Sequence, residues 1–314
     1  MKTLGLIFLC FLIGGRPTKP TQPSFSTAVF TPDGSAIVLS VAKGETCFLY
    51  KAEIATGTMH RLTQAASGCE FDPAFSVDGK RLAFMRSPQN GLHAALIVAN
   101  ADGSNEKVLV PAEADNIQPV FVPFSDQILF LRSGAFEHYS PIVGNRRHKF
   151  DLFMADIIKG NISQITHSEF YEISKVSASP DGKQYLLTVS TGREGEHFLI
   201  GTIRNPQTSP VSLQPAVPQG TDSPLVYNAV WLPDGKRILF QAASQPPRGG
   251  DFDYNIYQLT IATGAIERLT NLTGMLDSFS VSADGRRAVL LREGQYSVLD
   301  LGTRQLTGIR LRMQ

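Results

Sequence analysis

The sequence predicts an all-β protein, a six-bladed β-propeller whose blades are four-stranded antiparallel sheets. Three observations lead to this prediction. One short hairpin motif occurs six times, its copies follow one another at nearly regular intervals, and a second hairpin follows in the intervals. Four strands repeated around a ring hide the sheet edges that an open all-β protein would expose.

Each copy of the first hairpin has an apolar run, a turn centred on Asp-Gly and a second apolar run. Asp accepts hydrogen bonds from the backbone of its own turn, and Gly supplies a positive φ without steric cost. Apolar runs on both sides make the segment a β-hairpin. The third copy lacks the glycine and has Ser125 at that position. The six copies span residues 29–39, 74–84, 120–130, 177–187, 230–240 and 280–290.

The spacing of these turns matches the length of a propeller blade. Successive turn positions are 45, 46, 57, 53 and 50 residues apart, close to the roughly 40–50 residues of a four-stranded blade. The second hairpin of a copy often ends in Leu-Thr, as in residues 48–63 and 256–270. Blade one begins and blade six ends with its own strands, so no clear strand exchange between them is predicted. The turn positions are Gly34, Gly79, Ser125, Gly182, Gly235 and Gly285.

Composition excludes several classes of protein. The 314 residues carry a formal net charge of +1, and 18% of them are charged. A nucleic-acid binder usually has a basic excess, so no nucleic-acid partner is expected. The 42% of hydrophobic residues is enough for a sizeable core and argues against a disordered chain.

The first 15 residues have the pattern of a secretory signal peptide. Met1-Lys2 is followed by an apolar run over residues 4–13 and by Gly14-Gly15. We therefore expect three segments: a signal peptide at 1–15, a Pro-rich linker at 16–23 and the propeller at 24–314. Export predicts a periplasmic or secreted protein without a membrane span after signal cleavage, because no other stretch is long and apolar enough.

The repeats resemble the WD40-like PD40 repeat of the TolB family of periplasmic proteins. The resemblance rests on Ser-Pro-Asp-Gly-Lys at 179–183 and Pro-Asp-Gly-Lys-Arg at 233–237, and it covers about residues 24–311. TolB has an α/β domain before its propeller, and here only the linker stands in that place. Because the propeller half of TolB binds the peptidoglycan-associated lipoprotein, the resemblance implies an envelope protein or lipoprotein as the partner.

Alignment of the copies on their turns predicts a ring of polar side chains around a central channel. These residues lie seven positions before each turn, and residues two positions further along would share their face because strand side chains alternate. The alternative is that polar residues merely begin each strand at the surface. The ring consists of Thr27, Asp72, Gln118, Lys175, Asn228 and Ser278.

The segments that enter the inner strands should lie on the same face as the ring. A long loop predicted between residues 132 and 149 would join them there, and long loops on rigid scaffolds often carry function. The alternative is a solvated loop with no role. The candidate binding residues are Glu70, Asn116, Glu172, Tyr227 and Asp277 from the entry segments, and Tyr139, Arg146 and Arg147 from the loop.

Cys47 and Cys69 are predicted to form a disulfide. Export places them in an oxidising compartment, and both should lie near the same end of blade one. Two buried free thiols are the alternative.

The sequence favours a noncatalytic protein-interaction module over an enzyme, and we expect a monomer without a cofactor. No nucleophile elbow, zinc-protease helix or phosphate loop occurs. One alternative is a calcium-dependent, lactonase-like hydrolase with its site at the channel mouth; another is a carbohydrate-active propeller. The calcium ligands would then come from Glu70, Asp72, Asn116, Gln118, Asn228 and Asp277, although Lys175 in the ring would oppose a cation.

Overall fold

The computed structural model describes residues 24–25, 27–88, 93–140, 144–190, 196–204, 209–213, 225–244 and 252–313. The predicted signal peptide at 1–15 and linker at 16–23 lie outside these residues. Every regular element in the described ranges is a β-strand, so the described fold is all-β.

The strands follow one another along the chain in six groups. Group one contains β1 (Ser24–Phe25), β2 (Val29–Phe30), β3 (Ala36–Lys43), β4 (Thr46–Glu53) and β5 (Thr58–Arg61). Group two contains β6 (Cys69–Phe75), β7 (Arg81–Ser87), β8 (Ala95–Asn100) and β9 (Lys107–Val110). Group three contains β10 (Asp115–Phe121), β11 (Gln127–Ser140), β12 (Gly144–Asp156) and β13 (Ile162–Gln164).

The remaining groups have the same order. Group four contains β14 (Glu172–Ala178), β15 (Gln184–Ser190), β16 (Glu196–Thr202) and β17 (Val211–Leu213). Group five contains β18 (Val226–Trp231), β19 (Arg237–Ser244), β20 (Asp253–Thr260) and β21 (Ala265–Arg268). Group six contains β22 (Ser278–Val281), β23 (Arg287–Arg292), β24 (Gln295–Asp300) and β25 (Leu306–Ile309), and β26 (Arg312–Met313) follows it.

The architecture is a propeller of four-stranded antiparallel sheets, with one departure from the predicted blades. Groups three to six are separate four-stranded sheets, whereas groups one and two share one ten-stranded sheet with β26. The two groups are joined by a single parallel pairing of Cys47 in β4 with Cys69 in β6. The Cys47 N–H also donates to the Gly68 carbonyl oxygen at 3.2 Å.

The sequence showed no clear strand exchange and left the closure of the ring open, and the structure pairs the last strand of the chain with group one. β26 pairs in parallel with β5, with Arg312 opposite Thr58. The Arg312 N–H donates to the Gly57 carbonyl oxygen at 2.7 Å. The C-terminal segment thus adds a strand to the outer edge of group one, and unpaired outer edges are where strands add most readily.

The described residues form six apolar core clusters between neighbouring groups. Group one packs on group two through Leu49 and Phe84, and further clusters join groups two to three, three to four, four to five and five to six. In the sixth cluster, Ile37 of group one packs with Val289 and Leu291 of group six. Because the last group packs on the first, the sheets form a closed ring.

The hairpin turns carry a hydrogen bond that the Asp-Gly motif alone did not suggest. In four of the described turns, a Ser or Thr two residues before the Asp donates its hydroxyl to that carboxylate at 2.6 Å. These pairs are Thr31–Asp33, Ser76–Asp78, Ser179–Asp181 and Ser282–Asp284. In the third copy, which has no glycine, the Ser125 hydroxyl donates to the Val122 carbonyl oxygen at 3.0 Å.

Candidate functional site

The predicted channel ring lies where the inner strands are interrupted by β-bulges. The strand register shifts between Phe71 and Ala74, between Ile117 and Val120, and at the matching places in groups four and five. Asp72, Gln118 and Asn228 have φ values of 50°, 52° and 55°, in the left-handed region. A bulge breaks the simple alternation of faces, so the alternation assumed from the sequence does not hold across these positions.

Several ring side chains bond neighbouring groups to each other. The Gln118 N–H donates to Oδ2 of Asp72 at 3.0 Å, which joins groups two and three. The Gln118 amide then donates to the Ser174 carbonyl oxygen at 3.0 Å, which joins groups three and four. The Val176 N–H returns a hydrogen bond to Oε1 of Gln118 at 3.3 Å. The amide of Gln118 therefore ties two inner strands together.

The same kind of contact continues around the ring. The Asn228 N–H donates to the Ser174 hydroxyl at 3.4 Å, and the Asn228 amide donates to Oε1 of Gln241 at 3.0 Å. Gln241 donates in turn to the Leu276 carbonyl oxygen at 2.6 Å. Ser278 is buried, and its hydroxyl has no hydrogen-bond partner among the described residues.

Asp72 of group two and Lys175 of group four, two members of the predicted ring, interact electrostatically. Burial raises the pKa of Asp72, although the Gln118 N–H and the charges of Lys175 and Arg147 act in the opposite direction. Burial also lowers the pKa of Lys175, and the charge of Asp72 opposes that shift. For each of these two groups, the opposite charge offsets only part of the cost of burial.

Glu70 is a structural residue at the junction of groups one and two. Its side chain is fully buried and forms an ion pair with Arg86, whose Nε donates to Oε1 of Glu70 at 3.0 Å. The Leu49 N–H donates to its other oxygen at 3.2 Å, and the Thr63 hydroxyl donates to the same oxygen. These bonds occupy both carboxylate oxygens inside the protein.

Asn116 is likewise buried and bonded. Its amide donates to the Ala94 carbonyl oxygen at 2.7 Å, and Nε of Arg132 donates to its Oδ1 at 2.8 Å.

Cys47 and Cys69 are joined by a disulfide, with their Cα atoms 4.3 Å apart. The disulfide lies beside Glu70, which follows Cys69 directly in β6.

The long loop predicted in group three is largely strand. β11 and β12 pair as a long hairpin. Their backbone pairing begins at Gln127 with Asp156 and continues to Ser140 with Gly144. Arg147 forms an ion pair with Asp115 at the start of β10. Tyr139 and Arg146 lie on this hairpin, and their side chains are outside the described part of the structure.

A row of polar side chains crosses three strands of group four, at the end of the sheet where the inner strand β14 begins. Glu172 is paired with Ser190, and Ser190 is paired with Glu196, so all three point to the same face of the sheet. Glu172 was predicted from the sequence as a binding residue and Glu196 was not, because the pairing of Glu196 depends on the register of β15 and β16. We call Glu172, Ser190 and Glu196 the carboxylate row.

The carboxylate row is electrostatically coupled to two tyrosines of group five. Burial raises the pKa of Glu196 to about 7, and the nearby charge of Glu172 adds to the shift. Burial raises the pKa of Tyr227, with further contributions from the charges of Glu196 and Glu172. The rings of Tyr227 and Tyr254 lie 6.2 Å apart between centroids.

Asp277 is exposed just before β22. The Glu293 N–H donates to its Oδ2 at 3.0 Å. Partial burial and the charge of Glu293 raise the pKa of Asp277. We refer to the end of the ring that carries Glu172, Glu196, Tyr227 and Asp277 as the mouth face, and to the end with the Asp-Gly turns as the turn face.

Known proteins are similar to this chain in sequence or in fold. No protein-family profile matches the chain. The Tol-Pal system protein TolB of Francisella tularensis (strain WY96-3418) is 33% identical over 97 residues, which are 29% of this chain and 21% of that protein. TolB from Acinetobacter baumannii superposes with a TM-score of 0.63 at 17% identity, over 91% of this chain and 63% of that one. The fold is that of a TolB-like β-propeller.

Another solved structure shares this TolB-like fold. An oligogalacturonate lyase in complex with manganese superposes with a TM-score of 0.61 at 15% identity, over 92% of this chain and 77% of that one. Its identity is low enough that the likeness concerns the fold alone. The sequence match to the curated TolB proteins spans about a fifth of their length.

The described residues contain neither a candidate metal centre nor a candidate membrane-spanning helix. Within the described ranges, no three His, Cys, Asp or Glu side chains come together in a group that could hold a metal ion. None of the described residues forms a helix long and apolar enough to cross a membrane.

Proposed function

We propose that this protein is an exported, noncatalytic propeller that binds a protein partner of the bacterial cell envelope through its mouth face. The observation that carries the proposal is the contrast within the predicted site. Gln118, Asn228, Glu70 and Asn116 are used to bond the sheets together, while Glu172, Glu196, Tyr227 and Asp277 gather at one end of the ring. A rigid scaffold with polar and aromatic side chains at one end suits recognition of a protein surface.

We also infer that the ring has six blades. The ten-stranded sheet divides at the single pairing of Cys47 with Cys69, which leaves β6–β9 as a four-stranded unit like the others. Six apolar clusters, one between each pair of neighbouring groups, agree with six blades. The likeness to TolB supports a periplasmic location and a partner such as the peptidoglycan-associated lipoprotein, as the repeats imply.

The experiment is crosslinking and capture from an envelope extract, followed by direct binding to the purified peptidoglycan-associated lipoprotein. We expect a combined Glu172→Gln and Asp277→Asn variant to lose most of the capture. The matched control is Phe124→Ser on the turn face, whose side chain is 85% exposed. Equal capture by both variants, or loss in the control alone, would show that the mouth face is not the binding surface.

The calcium-dependent alternative has a separate test. Two of its six candidate ligands, Glu70 and Asn116, are already bonded to Arg86 and Arg132. Calorimetric titration of calcium into the natural protein and into the Asp72→Ala variant distinguishes the two hypotheses. A tight calcium site that this substitution abolishes would favour the enzyme over the interaction module.

A further inference from the structure

We propose that the surface at the mouth face where Glu172 and Glu196 of group four face Tyr227 of group five binds a lysine or arginine side chain presented by the partner protein. The inference deepens the proposed function, on which it rests, by naming the chemistry that the partner must present.

The direction of the carboxylate row is set by the strands. Ile173, next to Glu172, packs into the cluster between groups three and four, so Glu172 points to the other face. Phe198, two residues after Glu196, packs against Phe240 of group five, with ring centroids 5.3 Å apart. The row therefore faces group five.

One carboxylate oxygen of Glu196 is buried. Its Oε2 is shielded from solvent and has no hydrogen-bond partner among the described residues. A shielded carboxylate oxygen without a donor is unfavourable, because it has lost water without gaining a replacement. A cationic side chain that contacts the Glu196 carboxylate would supply both the donor and the opposite charge.

The tyrosines favour an organic cation. Burial, and then the charges of Glu196 and Glu172, raise the pKa of Tyr227, so its phenol stays neutral at physiological pH. Neutral tyrosine rings attract a guanidinium or ammonium group, and a carboxylate can accept two hydrogen bonds from one guanidinium. Two carboxylates and a ring are therefore a suitable set for a basic side chain, whereas a metal ion usually takes more ligands.

Ionisation of Glu196 gives the site a pH dependence. Its pKa is raised to about 7, so the carboxylate becomes fully charged only above neutral pH. The titratable groups that face it are Glu172 on β14 and Tyr227 and Tyr254 on group five. A cation should therefore bind more tightly as the pH rises through 7.

The test is fluorescence polarisation with two labelled peptides, Gly-Arg-Gly-Arg-Gly and the same peptide with citrulline for arginine. Citrulline keeps the shape of arginine but has no charge. We expect the arginine peptide to bind about tenfold more tightly than the citrulline peptide at pH 8. Glu196→Gln should weaken arginine binding about fivefold and remove its pH dependence. The matched control is Glu293→Gln, which removes a mouth-face carboxylate from group six.

Equal affinity for the two peptides would overturn the inference, as would the same loss in Glu293→Gln as in Glu196→Gln. Arg193 lies outside the described residues. The variant Arg193→Ala tests whether this arginine of the chain itself competes with the peptide for the carboxylates. If the peptide bound this variant and not the natural protein, the chain's own arginine would be the occupant and the inference would be wrong. Envelope capture insensitive to Glu196→Gln would reject this inference alone. Failed capture with intact peptide binding would reject the proposed envelope role alone.

Discussion

Glu70 shows how one buried carboxylate connects two groups of strands. It is fully buried, and removal of one partner of a buried ion pair typically costs about 3–5 kcal/mol. We expect Glu70→Ala to lower the free energy of unfolding by about that amount, because Arg86 loses one of its two carboxylate partners and the Leu49 N–H loses its acceptor. Urea denaturation followed by circular dichroism measures the change. Glu53→Ala is the control, since its pair with Lys51 (3.0 Å) is at the surface and should contribute about 0.5 kcal/mol. Similar losses in the two variants would contradict the prediction.

Asp33 gives a prediction about acid stability. Hydrogen bonds from the Thr31 hydroxyl and the Ser35 N–H lower the pKa of Asp33 from 3.8 to about 2. A lowered folded-state pKa contributes stability above pH 4, and the contribution is lost as the pH falls towards 2. Asp33→Asn should therefore lower the unfolding free energy at pH 7 by about 1 kcal/mol or less, since the side chain is exposed. The difference between the two proteins should disappear near pH 2. Urea midpoints of both at pH 7, 4 and 2.5 measure it, and a difference that does not change with pH would contradict the assignment.

Among the elements, the contact between β26 and the β4–β5 turn depends on Gly57. A Cβ at this position would meet the Arg310 carbonyl oxygen, and the residue has a φ of +73°. Gly44 has a φ of +66° with open space around it, which makes it a matched control. We expect Gly44→Ala to cost about 1 kcal/mol from backbone strain alone. Gly57→Ala should cost about 2 kcal/mol more, because the C-terminal segment must move.

Deletion of residues 310–314 separates these two costs. The deletion should make Gly57→Ala no more costly than Gly44→Ala in thermal or urea unfolding, because the clashing carbonyl is gone. If Gly57→Ala remained the more costly in the shortened chain, the pairing of β26 with β5 would not be the cause.

The disulfide is a second link between elements. Cys47 and Cys69 are 22 residues apart, and a disulfide that closes a loop of this size contributes about 3 kcal/mol in the chain-entropy view. We expect a reductant to lower the unfolding free energy of the natural protein by about 3 kcal/mol. It should leave a Cys47→Ala, Cys69→Ala variant unchanged. A reductant effect of equal size in that variant would mean that the effect has another source.

The sequence predicted the hairpins well because their turns depend on local chemistry. Asp33 and Gly34 are adjacent, and the Ser or Thr hydroxyl that completes the turn is visible two residues earlier. The bulges at Asp72, Gln118 and Asn228 were not predictable from alternation, since an extra residue is accommodated by the sheet as a whole. Glu70 and Asn116 looked like binding residues because their partners, Arg86 and Arg132, meet them only after the inner and second strands pair.

At the scale of the whole molecule, the ring packs each group on two neighbours. The interfaces between groups are therefore internal and apolar. We expect the exported protein to be a monomer that lacks residues 1–15 and therefore has a mass below the 34.2 kDa of the full chain. Light scattering and intact mass spectrometry of protein recovered from the periplasm measure both. A dimer, or a mass that includes residues 1–15, would contradict this expectation.

The position of β26 has a consequence for the order of events during synthesis. Chains are made and exported from the N-terminus, and early parts can fold before later parts emerge. Group one emerges first, yet its outer strand β5 gains its parallel neighbour only when Arg312 and Met313 arrive. Until group six has been made, the apolar surface of group one that packs against it also remains exposed. The oldest part of the chain therefore reaches its final structure last, and premature release of an unfinished chain leaves that sheet exposed to pairing with other chains.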